Sequence, residues 1–219
     1  MINRDLIIGI TGTFGSGKST AADFFKSKGF KKIILSSFLE KEANRRGFKK
    51  ITRKILQDIG NEWRKKYGKE ILAKKALKFL GENKLPQSSL RGIPQADEFV
   101  SRLYLRNKLR SITARNRVVI DGIRNVGEID EFGKNSNFVL IAILTDRKVR
   151  FTRLKKIKRR EHLTWELFNK LDRRDIGVGQ GKVGLQVGTC LAMADIFIDN
   201  NSGMDEFKNK LTNFLKHYV

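Results

Sequence analysis

Eight residues near the amino terminus, Gly12-Thr13-Phe14-Gly15-Ser16-Gly17-Lys18-Ser19, follow the pattern G-x-x-x-x-G-K-[ST], the spacing of a phosphate-binding loop. Glycines let the backbone wrap closely round an anion. The N–H groups of such a loop and of the helix behind it, with the helix dipole, form a preformed site for phosphate oxygens. Lys18 is then placed to reach the β- and γ-phosphates of a nucleoside triphosphate, and the Ser19 hydroxyl to hold the Mg²⁺ that bridges them. Gly12, Gly15, Ser16, Gly17, Lys18, Ser19 and Thr20 are the candidate residues for ATP.

Two further groups carry chemistry of the same kind. The segment Arg117–Asp121 is an apolar run ending in a carboxylate. An Asp at that end of a strand beside the loop supports the metal shell, so Asp121 joins Ser19 as a candidate Mg²⁺ ligand. Arg124, three residues on, brings a guanidinium to the same mouth of the sheet. The stretch from Thr145 to Asp175 holds twelve Lys/Arg against five Asp/Glu, concentrated in Arg150, Arg153, Lys156, Arg159, Arg160, Arg173 and Arg174. Phosphoryl transfer is catalysed chiefly by positioning and charge stabilisation, so arginines that fold over the γ-phosphate and exclude water read as a lid. Gly177, Gly179, Gly181 and Gly184 give that lid a flexible edge.

The elements that must hold these groups alternate between strand and helix, the signature of a parallel α/β sheet with helices on both faces. Residues 6–10, 31–35, Arg117–Asp121, Phe138–Leu144 and 195–199 read as five strands. Helices are expected over residues 20–28, ending at Gly29, and over 38–47, 51–60, 62–80, 96–112, 147–160 and Met204–Tyr218. Pro86 and Pro94 mark a loop. Ligands gather outside the carboxyl ends of the strands of such a sheet, where Gly12, Ser36, Asp121 and Asn200 fall.

Composition narrows the class further. The chain has 219 residues and 40% hydrophobic content, enough for one lobed domain with a substantial core. A single cysteine, Cys190, excludes a disulfide framework or a zinc cluster. Residues 1–5 are too few and too charged for a signal peptide, and the longest apolar run, Phe138–Leu144, cannot span a bilayer, which points to the cytoplasm and no membrane partner. The net charge of +23 suits nucleic acid or small polyanionic substrates. It is spread along the chain, with no polybasic tail and no aromatic-studded basic strand, which favours the small substrates.

The loop at 12–19, the V-V-I-D-G-I-R segment ending at Arg124, the tract Leu56-Gln57-Asp58-Ile59-Gly60-Asn61 with Arg64, Tyr67 and Gly68, and Asp172-Arg173-Arg174-Asp175 together resemble the small P-loop nucleotide kinases of the dephospho-CoA-kinase-like and nucleoside-monophosphate-kinase-like group. The resemblance covers most of the chain, and only the loop is highly specific. It implies a P-loop NTPase fold with a five-stranded parallel sheet, an acceptor flap over residues 36–80 and an arginine-rich lid over 155–184; the helical segment over 81–116 departs from it, reading as an insertion longer than in typical relatives. It also implies that Arg124 grips the acceptor phosphate, that Arg153 touches ATP phosphates, and that the 200–203 loop, with Asn200, passes the adenine; Arg159 and Arg173 of the basic stretch are the further lid candidates toward ATP and catalysis. Ser37, Arg53, Gln57 and Arg64 are candidates for holding the acceptor.

One departure bears on the substrate. Many relatives end the second strand with a Ser/Gly-Asp pair and a following Arg, whereas this chain reads Ser36-Ser37-Phe38-Leu39-Glu40. Phosphorylating a sugar hydroxyl benefits from a carboxylate base, while a monophosphate already offers an anionic nucleophile. Three readings stand in order: an ATP- and Mg²⁺-dependent nucleoside or deoxynucleoside monophosphate kinase, a dephospho-CoA kinase, and a P-loop ATPase that binds nucleic acid.

Overall fold

The computed structural model describes residues 6–82, 117–157 and 162–218. The helix expected over 96–112, the loop at Pro86 and Pro94, and Arg159 and Arg160 lie outside the described residues. The apolar runs form β1 (Leu6–Thr11), β2 (Lys31–Ile34), β3 (Arg117–Asp121), β4 (Phe138–Leu144) and β5 (Ile196–Asp199). They pair in parallel in the order β2-β3-β1-β4-β5. From β1 the chain passes beyond β3 to reach β2, while β4 lies on the other side of β1. The strand order therefore reverses beside β1, and a crevice opens at its carboxyl end. Register carries Asp121 to that crevice, because Ile10 of β1 and Ile34 of β2 both pair with it.

Among the described residues the helices are α1 (Lys18–Ser27), α2 (Leu35–Arg45), α3 (Arg53–Tyr67), α4 (Ile71–Glu82), α5 (Val126–Gly133), α6 (Arg147–Lys156), α7 (Trp165–Ile176), α8 (Val187–Ala192) and α9 (Met204–Tyr218). They cover both faces of the sheet, as the two-residue period of the strands requires. Val118 and Ile120 of β3 face a core built with Leu35 and Leu39 of α2, Ile59 and Trp63 of α3, Ala73 of α4 and Phe132 of α5. Val119, between them, faces the opposite core, with Ile8 and Ile10 of β1, Phe25 of α1 and Phe207, Leu211 and Phe214 of α9. A smaller cluster joins Phe14 of the phosphate loop to Leu154 of α6 and Phe168 of α7. Among the described residues no helix is long and apolar enough to cross a membrane.

Several boundaries differ from those read in the sequence. The helix break expected between residues 60 and 62 lies instead at Gly68, whose φ of +98° suits glycine. Gly60 stays inside α3, where a Cβ would come within 3.3 Å of Leu39 Cδ1 and 3.2 Å of Arg64 Nη1. Its role is close approach of α3 to α2, and not termination. β2 stops at Ile34 because Leu35 already belongs to α2, and α1 begins at Lys18 instead of residue 20. The described part of the basic helix is Arg147–Lys156. The short α5, unmarked by any long apolar period, is held by its cap: Gly127 N–H donates to Asn125 Oδ1 at 2.9 Å, and Asn125 N–H donates to Glu128 Oε2 at 3.2 Å.

Cys190 is fully buried in the first core, and burial pushes its thiol up from the usual range. It should therefore resist a thiol reagent at about pH 8 in the native state and react only as the chain unfolds. Labelling across a denaturant series should track the loss of helical signal; rapid labelling of native protein would contradict this packing.

Candidate functional site

The turn between β1 and α1 needs glycine where the sequence supplies it. Gly12, Gly15 and Gly17 have φ of +149°, +81° and +99°. A Cβ on Gly12 would lie 2.6 Å from the Ile143 carbonyl oxygen, and one on Gly17 would collide with Asn200 Nδ2. α1 starts without a side-chain cap and without an acidic residue in its first turn. α3, α5 and α7 are capped by Thr52, Asn125 and Thr164, while α2, α6 and α8 share with α1 the lack of a side-chain cap, so what sets α1 apart is the glycine turn that precedes it. The first N–H groups of α1 are thus left to an external anion, on the positive end of the helix dipole.

Lys18 is buried, and its ammonium donates to the carbonyls of Gly12 at 2.6 Å and Thr13 at 2.8 Å. Burial pulls its pKa down to about 7; Asp175 opposes that shift, Arg124 and Arg53 add to it, and Asp121 opposes it. The loop is pinned from outside. Asn200 Nδ2 and Thr145 Oγ1 donate to the Ser16 carbonyl at 2.8 and 2.9 Å. Arg150, buried, donates to the Phe14 carbonyl at 2.9 Å and pairs through both Nη atoms with the buried Asp172.

Two cavities meet at this loop. The larger, of about 450 Å³, is lined by Gly15, Gly17, Lys18, Ser19, Thr20, Arg53, Arg124, Arg153 and Asn200, with Phe14, Leu154, Ile157 and Met204 as apolar walls. The smaller, of about 70 Å³, is lined by Lys18, Ser19, Ser36, Gln57, Arg64, Asp121 and Arg124, with Leu39, Leu56, Leu72 and Leu185. Lys18, Ser19 and Arg124 belong to both. Buried polar atoms without a hydrogen-bond partner among the described residues gather here: Ser16 Oγ in the loop, and both amide atoms of Gln57, Arg64 Nε and Arg124 Nε on residues of the smaller cavity. Such atoms normally find partners, and leaving each bare costs about 1–3 kcal/mol, so their concentration marks a place prepared for a ligand.

The expected residues divide accordingly. Arg124, Gln57 and Arg64 come together on the smaller cavity, and Arg53 lies on the phosphate-loop side. Ser36, and not Ser37, lines the smaller cavity; the Ser37 hydroxyl donates to the Ile34 carbonyl at 2.7 Å, closing its own helical turn. Arg153 holds the 200–203 loop, donating to the carbonyls of Asn200 at 2.7 Å and Ser202 at 2.9 Å, while it borders the larger cavity. Arg173 is exposed on α7 and lines neither cavity.

Of the arginines read at 145–175 as closing over phosphates, three are tied to carboxylates, while Arg159 and Arg160 lie outside the described residues. Arg150 is neutralised by Asp172, Arg147 lies 3.3 Å from the same carboxylate, and Arg174 pairs with Asp58 at 2.6 Å. Gly184 is tied rather than loose, since its carbonyl accepts from Asn125 Nδ2 at 2.7 Å.

Sequence reasoning missed two carboxylates. Glu128, fully buried, accepts from Arg64 Nη2 at 3.0 Å and from Arg124 N–H at 2.8 Å, so one side chain fixes both positions. Its place in an N-x-x-E cap was the available signal. Asp175, also fully buried, accepts from Arg53 Nη2 at 2.6 Å. Burial alone would raise its carboxyl, but Arg53, Arg124 and Lys18 together hold it below the usual carboxylate range.

Ser19 and Asp121 line one cavity with Lys18, a pair of hard oxygen donors that suits Mg²⁺ bound jointly by protein and phosphate oxygens. Lys32 Nζ stands 3.5 Å from Asp121 Oδ2 and 2.9 Å from Asp23 Oδ1. It holds the carboxylate against α1.

The parallel sheet, its reversal beside β1 and the glycine turn with its buried lysine define a P-loop NTPase fold. Among solved structures the chain is similar to TT1252 from Thermus thermophilus, 18% identical with a TM-score of 0.51 over 99% of this chain and 98% of that one, a likeness of fold. A dephospho-CoA kinase from Campylobacter jejuni is 17% identical with a TM-score of 0.42 over 98% of each chain. No family model matches. The chain belongs to the UPF0200 family: it is 30% identical over 214 residues to a UPF0200 protein of Sulfurisphaera tokodaii, covering 97% of both. Another, from Methanocaldococcus jannaschii, is 28% identical over 215 residues, 98% of this chain and 91% of that one.

The depressed pKa of Lys18 has a measurable sign. Above about pH 7 its amine is mostly neutral in the free protein, and incoming phosphates favour the ammonium. Binding of ATP at about pH 8 should therefore take up a proton, and the uptake should fade by about pH 6, where Lys18 is already charged. Calorimetry in two buffers of different ionisation enthalpy reads it directly. A buffer-independent heat at the higher pH would show that Lys18 is not the titrating group, as would uptake that persists in Lys18→Met.

Proposed function

We propose that the protein transfers the γ-phosphoryl group of ATP to a nucleoside or deoxynucleoside monophosphate. The observation that carries this reading is the shared wall of the two cavities: Lys18, Ser19 and Arg124 line both. A triphosphate in the glycine turn would end where the second compartment begins. Phe14, Ile157 and Met204 offer apolar surface for the base, beside the 200–203 loop. Mg²⁺ held by Ser19 and Asp121 would neutralise charge on the β- and γ-phosphates. Lys18 and Arg124 would stabilise the charge that spreads over the phosphoryl oxygens as it moves, and Arg53 would approach from the loop side.

The contents of the smaller cavity favour an anionic nucleophile over a hydroxyl. Lys18, Arg124 and Arg64 line it, Arg64 already paired from behind with Glu128, and among the described residues Asp121 is the one carboxylate lining it, held by Lys32. A phosphate acceptor needs cationic clamps and no base, whereas a sugar hydroxyl needs its proton removed. The Gln57 carboxamide, 2% exposed with donor and acceptor both unpaired among the described residues, suits a planar group that presents the complementary pair. A cavity of about 70 Å³ takes a phosphate but not a nucleoside, so α2 and α3 would move outward to admit the rest.

The test is a panel of acceptors with ATP and Mg²⁺. ADP formation should be stimulated by one monophosphate; stimulation confined to dephospho-CoA, or to RNA or DNA, would replace this reading. Lys18→Ala should abolish transfer with the fold intact. Gln57→Ala should raise the acceptor KM about tenfold or more and leave the KM for ATP unchanged. Equal changes in both would place Gln57 outside the acceptor site.

A further inference from the structure

Asp175 closes the last turn of α7, is fully buried and lines neither cavity, yet it sits behind the cations of the phosphate loop. Its Oδ1 accepts from Arg53 Nη2 at 2.6 Å; its Oδ2 is buried with no hydrogen-bond partner among the described residues. The Arg53 guanidinium carbon lies 4.2 Å from the centroid of the Phe14 ring, inside the loop. Arg53 belongs to α3 and Asp175 to α7. Two further links join the same regions: Arg174 to Asp58 at 2.6 Å, and Asn61 Nδ2 to Gln180 Oε1 at 3.2 Å. The carboxylate therefore fixes one guanidinium of the larger cavity between two helices and an aromatic face.

We propose that Asp175 is a positioning residue for phosphoryl transfer, holding the Arg53 guanidinium against Phe14 so that it meets the terminal phosphate without reorganising. The proposal rests on reading the larger cavity as the triphosphate site. It makes a two-sided demand. The negative charge of Asp175, placed behind Lys18, Arg53 and Arg124, weakens the attraction of the resting site for any polyanion. The same charge orients a donor whose value is realised as charge develops on the moving phosphoryl group. Asp175 thus opposes ground-state binding while favouring turnover. A residue serving only the packing of α7 would have no such split.

The Asp175→Asn substitution keeps the shape and removes the charge. The folded variant should bind inorganic tripolyphosphate several-fold more tightly than wild type by calorimetry, while kcat for ADP formation falls on the order of 10–100-fold and the KM for ATP does not rise. In a cycle with Arg53→Gln, the double variant should match Arg53→Gln alone in kcat, because Asp175 acts through Arg53. Weaker tripolyphosphate binding by folded Asp175→Asn, or losses that multiply in the double variant, would overturn the proposal. Should Asp175→Asn fail to fold, Arg53→Lys keeps the charge and loses the planar fork; it should hold tripolyphosphate like wild type and lose about tenfold in kcat, and an unchanged kcat would overturn the proposal. If wild type binds tripolyphosphate yet phosphorylates no acceptor, the proposed reaction fails, while the affinity comparison still decides whether Asp175 opposes anion binding.

Discussion

The ammonium of Lys18, bonded to two carbonyls of its own loop, is the interaction on which the site turns. Taking a lysine charge out of water costs several kcal/mol unless its surroundings answer it. Here the answer is partial: the carbonyls of Gly12 and Thr13 accept its protons, and Asp175 and Asp121 attract it, but Arg124 and Arg53 stand close enough to repel it. The free protein therefore gathers more cationic groups than carboxylates at the carboxyl end of β1, an excess that shows in the depressed pKa of Lys18. A polyanion relieves that excess, which is why the glycine turn, the uncapped start of α1 and the crevice of the sheet make one device.

Holding such a loop and its surroundings rigid takes buried ion pairs. Arg150 and Asp172 are both buried, and the pair grips the Phe14 carbonyl from α6 and α7. Arg64 and Glu128 are likewise buried, and Glu128 also closes the cap of α5 beside Arg124. Replacing pairs like these with hydrocarbon is often neutral or stabilising, so their value lies less in stability than in direction. Each fixes a backbone carbonyl, a loop N–H or a guanidinium that faces a cavity.

What the sequence made visible was local. The glycine turn, the Val-Val-Ile-Asp strand, Arg124 and the amphipathic α9 all reside in runs of fewer than twenty residues, where spacing and period carry the information. The break between α3 and α4 was not visible, because Gly60 and Gly68 look alike in a linear reading and differ only in what lies beside them. Ser36 and Ser37 are one residue apart, and helix phase decides which of them reaches the cavity. The ion pairs of Glu128 with Arg64 and of Asp175 with Arg53 lay hidden for another reason: the partners stand 64 and 122 residues apart in the chain.

The same point governs the basic composition. Twelve Lys/Arg between Thr145 and Asp175 suggest a cluster closing over phosphate, but the fold neutralises Arg150, Arg147 and Arg174 with carboxylates and turns Arg153 to the carbonyls of the 200–203 loop. Positive charge available to a ligand is a local imbalance and not a total. It is found where two carboxylates, Asp175 and Asp121, stand near three cations, Lys18, Arg53 and Arg124, on the walls of a cavity large enough for a triphosphate. A chain carrying +23 thus concentrates its chemistry in the few charges its folding leaves incompletely matched.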